Sequence, residues 1–454
     1  MEEEVDIRVA MDRAGCGFGT FLYCGGPFLF YCLEGAEIVV LSIVGLMLQC
    51  EWELTPFWVS ALQMNVLLVI IVVSVFSGRL GDRFGRRPVC LGAAIGTTLA
   101  GFAAGFAQNY WQLFATRVVL GVCLGIGSPS ALAMGGEIPP TSFRALSLSA
   151  VSLAFGIGAS VTSAIAYFVV DPYGWRGLLI ATALTFSPSI LLLLLIRESP
   201  RHEATQGRLE EAEVTIKQIY RLNCRPISSL KLKRDAVEEE ELSDFKMVAR
   251  SLREEGDVAN LVAVCLLGTF SYFAYYIVGY SAPRFLNEGY CLNGEVNTKQ
   301  ECVFAKSILF DIGVVSLSEP LAVSIAIVLV DVIGRRKTFF ISVILSLVFI
   351  TTLYFCAGRY YLLAFLTLMR MGIAQLAWSP TLLGAEYFPT SIRSFVMGLH
   401  VSCARVGASL GVLCAQYVFN YSPWLLLGML QVGVVLSGLC LIQLKKETMG
   451  THLT

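Results

Sequence analysis

About twelve times along this chain an apolar stretch recurs that is long enough to cross the roughly 30 Å hydrocarbon core of a bilayer. The spans read as residues 21–48, 57–77, 88–107, 111–135, 146–170, 175–196, 258–281, 307–330, 338–356, 361–385, 394–417 and 424–444. Inside lipid every backbone N–H and C=O must be satisfied within the segment, so runs of this length resolve as helices. Composition agrees: 56% of the 454 residues are hydrophobic and 15% are charged, with a mean hydropathy of +0.69. That leaves too little polar surface for a soluble protein of this size. The expected class is an all-α polytopic membrane protein with twelve transmembrane helices. A net charge of −1 gives no electrostatic footprint for a nucleic acid, and none is expected as a partner.

Orientation follows from the basic residues. With both termini cytosolic, 25 of the 33 Lys and Arg residues fall on the inner side and 5 at or beyond the outer ends of the spans, and the other three, Arg117, Arg370 and Arg405, lie deep within spans. The acidic start, MEEEVDIRVAMDR, is not followed by a short apolar core with a cleavage site, so the first span is expected to direct insertion itself. Most of the fourteen cysteines fall within spans and read as small apolar residues. Cys291 and Cys302 differ, because both lie in the longest outer loop, where a disulfide between them fits an oxidising compartment.

A repeat lies beneath the spans. GRLGDRFGRRP at 78–88 aligns with DVIGRRK at 331–337, matching Asp82 with Asp331, Gly85 with Gly334, Arg86 with Arg335 and Arg87 with Arg336. GEIPPTSFRA at 136–145 aligns with AEYFPTSIRS at 385–394, matching Glu137 with Glu386 and Arg144 with Arg393. The offset is 249 residues throughout. Four spans precede each E-x6-R element and two follow it. The chain therefore reads as two parallel six-helix halves, residues 1–196 and 258–454, a plan that places a substrate site between repeats. Residues 197–257 form a cytosolic linker in which Leu209, Ala212, Ile216 and Ile219 recur at helical spacing. Gly78, Asp82, Gly85, Arg86, Arg87, Glu137 and Arg144, with Asp331, Gly334, Arg335, Arg336, Glu386 and Arg393, set guanidinium forks beside carboxylates at the inner surface. Such pairs suit a gating latch, because a fork binds a carboxylate bidentately and must release it to open.

G-x3-D-x2-G-R-R after the second span, R-x3-G at Arg117 and Gly121, E-x6-R twice and RESPR at 197–201 together resemble the major facilitator superfamily. CEW at 50–52, SLSEP at 316–320 and CARVGA at 403–408 resemble its synaptic vesicle 2-related branch, neighbour to the organic ion transporters. The resemblance covers essentially the whole chain. It implies the major facilitator fold and gradient-driven movement of a small organic ion by two rocking bundles. Helix seven lacks the glutamine- and asparagine-rich signature of sugar porters, and the loop after helix one is short where organic ion transporters carry a large domain.

Charges inside the spans point to the site. Arg405 lies twelve residues past Arg393, about 18 Å along a helix, and Glu319 lies a similar distance before Asp331. An ionised group at the centre of a lone helix costs roughly 3 kcal/mol, so these groups should meet a cavity or a partner. Arg405 has glycine at its repeat equivalent, Gly156, which favours a substrate role over a fold-wide packing one. A pair between Arg405 and Glu319 is expected. Glu34 and Glu37 share a helix face, where mutual repulsion favours proton uptake by one of them. Arg370, His400, Tyr272 and Tyr276 complete the candidate substrate or coupling set. No metal-ligand cluster, P-loop or nucleophile elbow is visible, so no catalytic residue, metal or cofactor is expected and the protein is not read as an enzyme. The partners expected are a small organic ion, anionic or zwitterionic, protons and the lipid of a plasma or vesicle membrane, with the protein a monomer. Two rivals stay open: a non-transporting vesicle-membrane receptor or trafficking protein, and a porter of sugars, polyols or organic cations.

Overall fold

The computed structural model describes residues 3–226, 230–232, 258–287, 304–355, 358–388 and 390–444. A strand β1 (Glu3–Val5) and helix α1 (Ile7–Ala14) precede the first long helix, α2 (Phe18–Glu51). Then follow α3 (Pro56–Phe84), α4 (Arg86–Ala104), α5 (Tyr110–Glu137) and α6 (Arg144–Phe186). Gly174, at φ 63°, breaks α6 just after Pro172, and the short α7 (Pro188–Leu195) completes the second of its two passes. Next come α8 (Pro200–Thr205), α9 (Leu209–Leu222) and a strand β2 (Leu230–Leu232). The second half holds α10 (Val258–Asn287), α11 (Lys306–Ile333), α12 (Arg335–Thr352), α13 (Arg359–Tyr387), α14 (Thr390–Tyr421) and α15 (Pro423–Gln443).

Ten described stretches are long and apolar enough to cross a membrane, with Ser149–Leu195 counted as one. The break at Gly174 makes that stretch two. The remaining pass is α12, whose opening Arg335, Arg336 and Lys337 lower its hydropathy. It begins 249 residues after α4, as the repeat requires. The protein is thus an all-α multi-pass membrane protein whose β1 and β2 pair in parallel, Glu3 against Leu230 and Val5 against Leu232.

Small residues let the helices approach, as expected where lipid gives no hydrophobic push between them. A Cβ on Gly158 would overlap the Cys32 carbonyl, and one on Gly407, its repeat equivalent, the Thr269 carbonyl. Gly407 belongs to the CARVGA run, so that motif is in part a helix-crossing element.

By their contacts the residues form two compact units. The first comprises Met1–Gly35, Val72–Gly158 and Leu179–Glu240. Here the linker stretch forms α9, which buries Ala212, Ile216 and Ile219. Asn223, just past its end, accepts from the N–H groups of Gly19 and Thr20 at 2.8 and 3.3 Å and donates to the carbonyls of Ala14 and Gly15 at 3.1 and 3.0 Å. It thereby caps the unsatisfied first turn of α2 from a distant part of the chain. Asp12 of α1 accepts from the N–H and hydroxyl of Thr141 at 2.6 and 2.8 Å, capping the turn before α6.

The second unit comprises Ala36–Ile71, Ala159–Leu178 and Glu241–Thr454. It gathers the ends of α2, α3 and α6 remote from the basic turns, together with α10 to α15. Within it Gln416 donates to Gln63 at 3.0 Å and Gln63 donates to the Leu41 carbonyl at 3.0 Å.

Candidate functional site

Glu319 sits on α11 immediately before Pro320 and is 4% exposed. One carboxylate oxygen accepts from Arg370 Nη2 of α13 at 2.8 Å, and the other accepts from the Tyr275 hydroxyl of α10 at 2.6 Å. The Arg370 guanidinium also lies 5.5 Å from the centre of the Tyr275 ring. Three helices thus converge on one buried ion pair. Burial on this scale is tolerated because each charge has its counter-charge and hydrogen bonds. Arg370 is not saturated, however: it is 3% exposed and its Nε has no hydrogen-bond partner.

This geometry corrects the expected Arg405–Glu319 pair. Arg405 Nη1 instead donates to the Tyr276 hydroxyl at 3.3 Å. Residue counting fixes depth along a helix but not the direction a side chain faces, and the face of α13 bearing Arg370 is the one turned to Glu319. Tyr272, Tyr276 and Tyr280, four residues apart on α10, stack at 6.3 and 6.1 Å with 22° between planes. Tyr276 and Tyr280 are buried, so these rings do not form an interfacial belt.

Helix α2 carries two further buried carboxylates. Glu34 is buried and accepts the Ser128 hydroxyl at 2.8 Å, while Tyr31 holds the Ser128 carbonyl at 2.8 Å. Glu37 is also buried, in the part of α2 that belongs to the second unit. The neighbouring Ile38 reaches Gly279 of α10: a Cβ there would lie 3.2 Å from Ile38 Cγ2 and 3.8 Å from Arg370 Nη1. The absent side chain leaves room at Gly279 for Ile38 of α2 and for the Arg370 guanidinium. His400 is buried, with Nδ1 3.1 Å from the Met397 carbonyl and Nε2 3.5 Å from the Thr381 hydroxyl. Both ring nitrogens are engaged, as in a core histidine.

The basic turns form two matching clusters. Arg86 meets Glu137 at 2.9 Å and Asp82 at 3.3 Å, and Arg335 meets Glu386 at 3.2 Å and Asp331 at 3.4 Å. Gly85 and Gly334, at φ +99° and +95°, turn the chain where a side chain would be strained. In the first cluster Ser199 donates to Glu137 at 2.6 Å, and Glu198 accepts the Arg87 N–H at 3.1 Å, which places RESPR in the same network. Each cluster braces helices of its own half. Gly78 lies on α3 with open space around it. Arg336 stands beside Arg335 at the start of α12. The side chains of Arg144 and Arg393 lie outside the described residues, as do Cys291 and Cys302. Cys50, by contrast, is disulfide-bonded, which its position just past the first apolar span did not signal. Sequence reasoning also missed Asn223 and Ser128, whose roles depend on residues roughly a hundred or more positions away.

Residues 53–453 match the family described as sugar (and other) transporter. The synaptic vesicle 2-related protein of Xenopus laevis is 27% identical over 445 residues, 94% of this chain and 77% of that one. Organic cation/carnitine transporter 7 of Arabidopsis thaliana is 25% identical over 508 residues, 99% of this chain and 96% of that one. Among solved structures, the inward open conformation of the xylose transporter XylE from E. coli matches with a TM-score of 0.70 at 17% identity, over 96% of this chain and 98% of that one. At that identity the likeness speaks for the fold.

Proposed function

The chain belongs to the sugar (and other) transporter family of the major facilitator superfamily, and on that premise we propose that it carries a small organic anion or zwitterion whose carboxylate is received by Arg370. It is a membrane transporter, not an enzyme. The observation that carries the proposal is the buried guanidinium of Arg370, which holds Glu319 through Nη2 and keeps Nε without an acceptor. A fork of this kind suits a second carboxylate, and an unmet buried donor gives that ligand an energetic reason to enter.

Charge balance supports the choice. Arg370 and Arg405 set against Glu319 leave one positive charge in this part of the second unit, and an ionised Glu37 returns the sum to zero. A zwitterion would enter such a site without altering its balance. An organic anion would do so if Glu37 took up a proton with it, making the movement electroneutral proton symport. The surplus of Lys and Arg on the basic-turn side supports a cytosolic position for both termini, and a plasma or vesicle membrane fits that orientation.

The test is uptake by reconstituted proteoliposomes of a labelled panel of small mono- and dicarboxylates and amino acids. A neutral sugar and a quaternary ammonium ion serve as comparisons, each with and without a pH gradient. Carboxylates should accumulate, more so down a proton gradient, and Arg370→Lys should cut uptake at least tenfold while the protein remains folded. Uptake confined to the sugar or the ammonium ion would overturn the proposal.

A further inference from the structure

Pro320 interrupts the hydrogen-bond ladder of α11 one residue after Glu319. In an α-helix the carbonyl of residue 316 accepts from the N–H of residue 320, and proline has none. The Ser316 carbonyl is therefore released from its own helix. It is answered by the Ser160 hydroxyl of α6, which donates to it at 3.1 Å. Ser163, on the next turn of α6, adds a hydroxyl–hydroxyl bond of 2.9 Å to Ser316 Oγ. Both contacts are internal to the second unit. The contrast with α13 is informative. There Pro380 frees the Leu376 carbonyl, but Ser379 of the same helix takes it at 2.7 Å, so that acceptor is occupied whatever neighbouring helices do. On α11 the donor belongs to a different helix and leaves whenever α6 moves away from α11.

We infer that the Ser316 carbonyl is a second recognition point for the substrate, accepting a hydroxyl or ammonium donor when Ser160 withdraws. The inference rests on Arg370 receiving the substrate carboxylate, and it narrows the class to carboxylates that carry a donor a few bonds away, such as hydroxy acids and amino acids. Ser316 lies three residues, one turn or about 4.5 Å of rise, before Glu319. A short substrate held by Arg370 thus has its donor end within reach of the carbonyl. Because α6 and the substrate compete for one acceptor, occupancy by substrate also removes a contact that holds α6 against α11.

Two measurements decide it. The first needs no ligand. In thermal unfolding of the purified full chain, Ser160→Ala should lower the midpoint by about 1–2 °C. In a Pro320→Ala background, where residue 320 again supplies an N–H, the same substitution should change nothing. An equal loss in both backgrounds means that Ser160 does not serve the freed carbonyl, and the inference falls. The second measurement is inhibition of carboxylate uptake by lactate against propionate and by 3-hydroxybutyrate against butyrate. The hydroxylated member of each pair should bind about three- to tenfold more tightly to the wild type. Pro320→Ala should abolish that preference, read within the variant as equal inhibition by the two members of each pair. If wild type takes up carboxylates but shows no preference, this inference fails and the Arg370 reading survives. If it takes up no carboxylate at all, both fail together.

Discussion

Tyr275 does two things for the buried pair: its hydroxyl holds one oxygen of Glu319 at 2.6 Å and its ring lies beside the Arg370 guanidinium. Tyr275→Phe keeps the ring and removes the donor. It leaves a buried carboxylate with one partner fewer, which should destabilise the protein by about 1–3 kcal/mol in thermal or denaturant unfolding. Unchanged stability would mean that another donor takes over Glu319. The equivalent change at Tyr276 removes an acceptor of Arg405 at 3.3 Å, a longer bond, and should cost less. At this scale the sequence was half legible. A charge inside an apolar run announces itself, so Glu319, Arg370 and Arg405 were all visible. Their pairing was not, because Arg370 and Arg405 lie at comparable depth and the direction each faces is set by how α13 and α14 pack.

The α8–α9 element holds a carboxylate of another kind. Glu203 is buried and accepts the Thr215 hydroxyl at 3.1 Å. Burial pushes its pKa up to about 7, with Glu211 and Glu198 adding to the rise and Thr215 and Arg208 opposing it. A carboxyl raised above its unfolded value favours folding when protonated. Its contribution is therefore present below about pH 4.5 and lost as pH rises through about 7. Hydrogen exchange corrected for intrinsic rates should show α9 amides losing protection between pH 5.5 and 8, and Glu203→Gln should make that protection independent of pH. A persistent slope in the variant would place the titration elsewhere. In the same element Asn223→Ala removes a cap shared by two N–H groups and two carbonyls, and should destabilise the docked α2 start by about 1–2 kcal/mol. Helical spacing made α9 readable from Leu209, Ala212, Ile216 and Ile219. No periodicity could reveal that Asn223 reaches Gly19, because that contact spans the whole first half of the chain.

For the whole molecule, the offset of 249 residues is the most informative thing the sequence holds, since Arg86–Glu137 and Arg335–Glu386 recur as the same contact in both halves. If both clusters brace the closed cytosolic side, Arg86→Ala and Arg335→Ala should each raise the labelling of a cysteine probe placed beside the inner end of α5 or α13. Labelling unaltered in both variants would leave the clusters a purely topological role. What the repeat could not show is asymmetry: Arg370 stands opposite Gly121 and Glu319 opposite Ile70, so the ion pair exists in one half alone. That asymmetry supports the proposal that the pair is substrate machinery, and one comparison addresses it directly. Arg370→Ala alone strands a buried carboxylate and should cost about 3–5 kcal/mol of stability. Arg370→Ala/Glu319→Ala removes the uncompensated charge, so stability should return. Carboxylate uptake by that double variant is the deciding measurement. The account predicts a folded protein that transports none; uptake at the wild-type rate would show that Arg370 and Glu319 merely neutralise one another, and would contradict it.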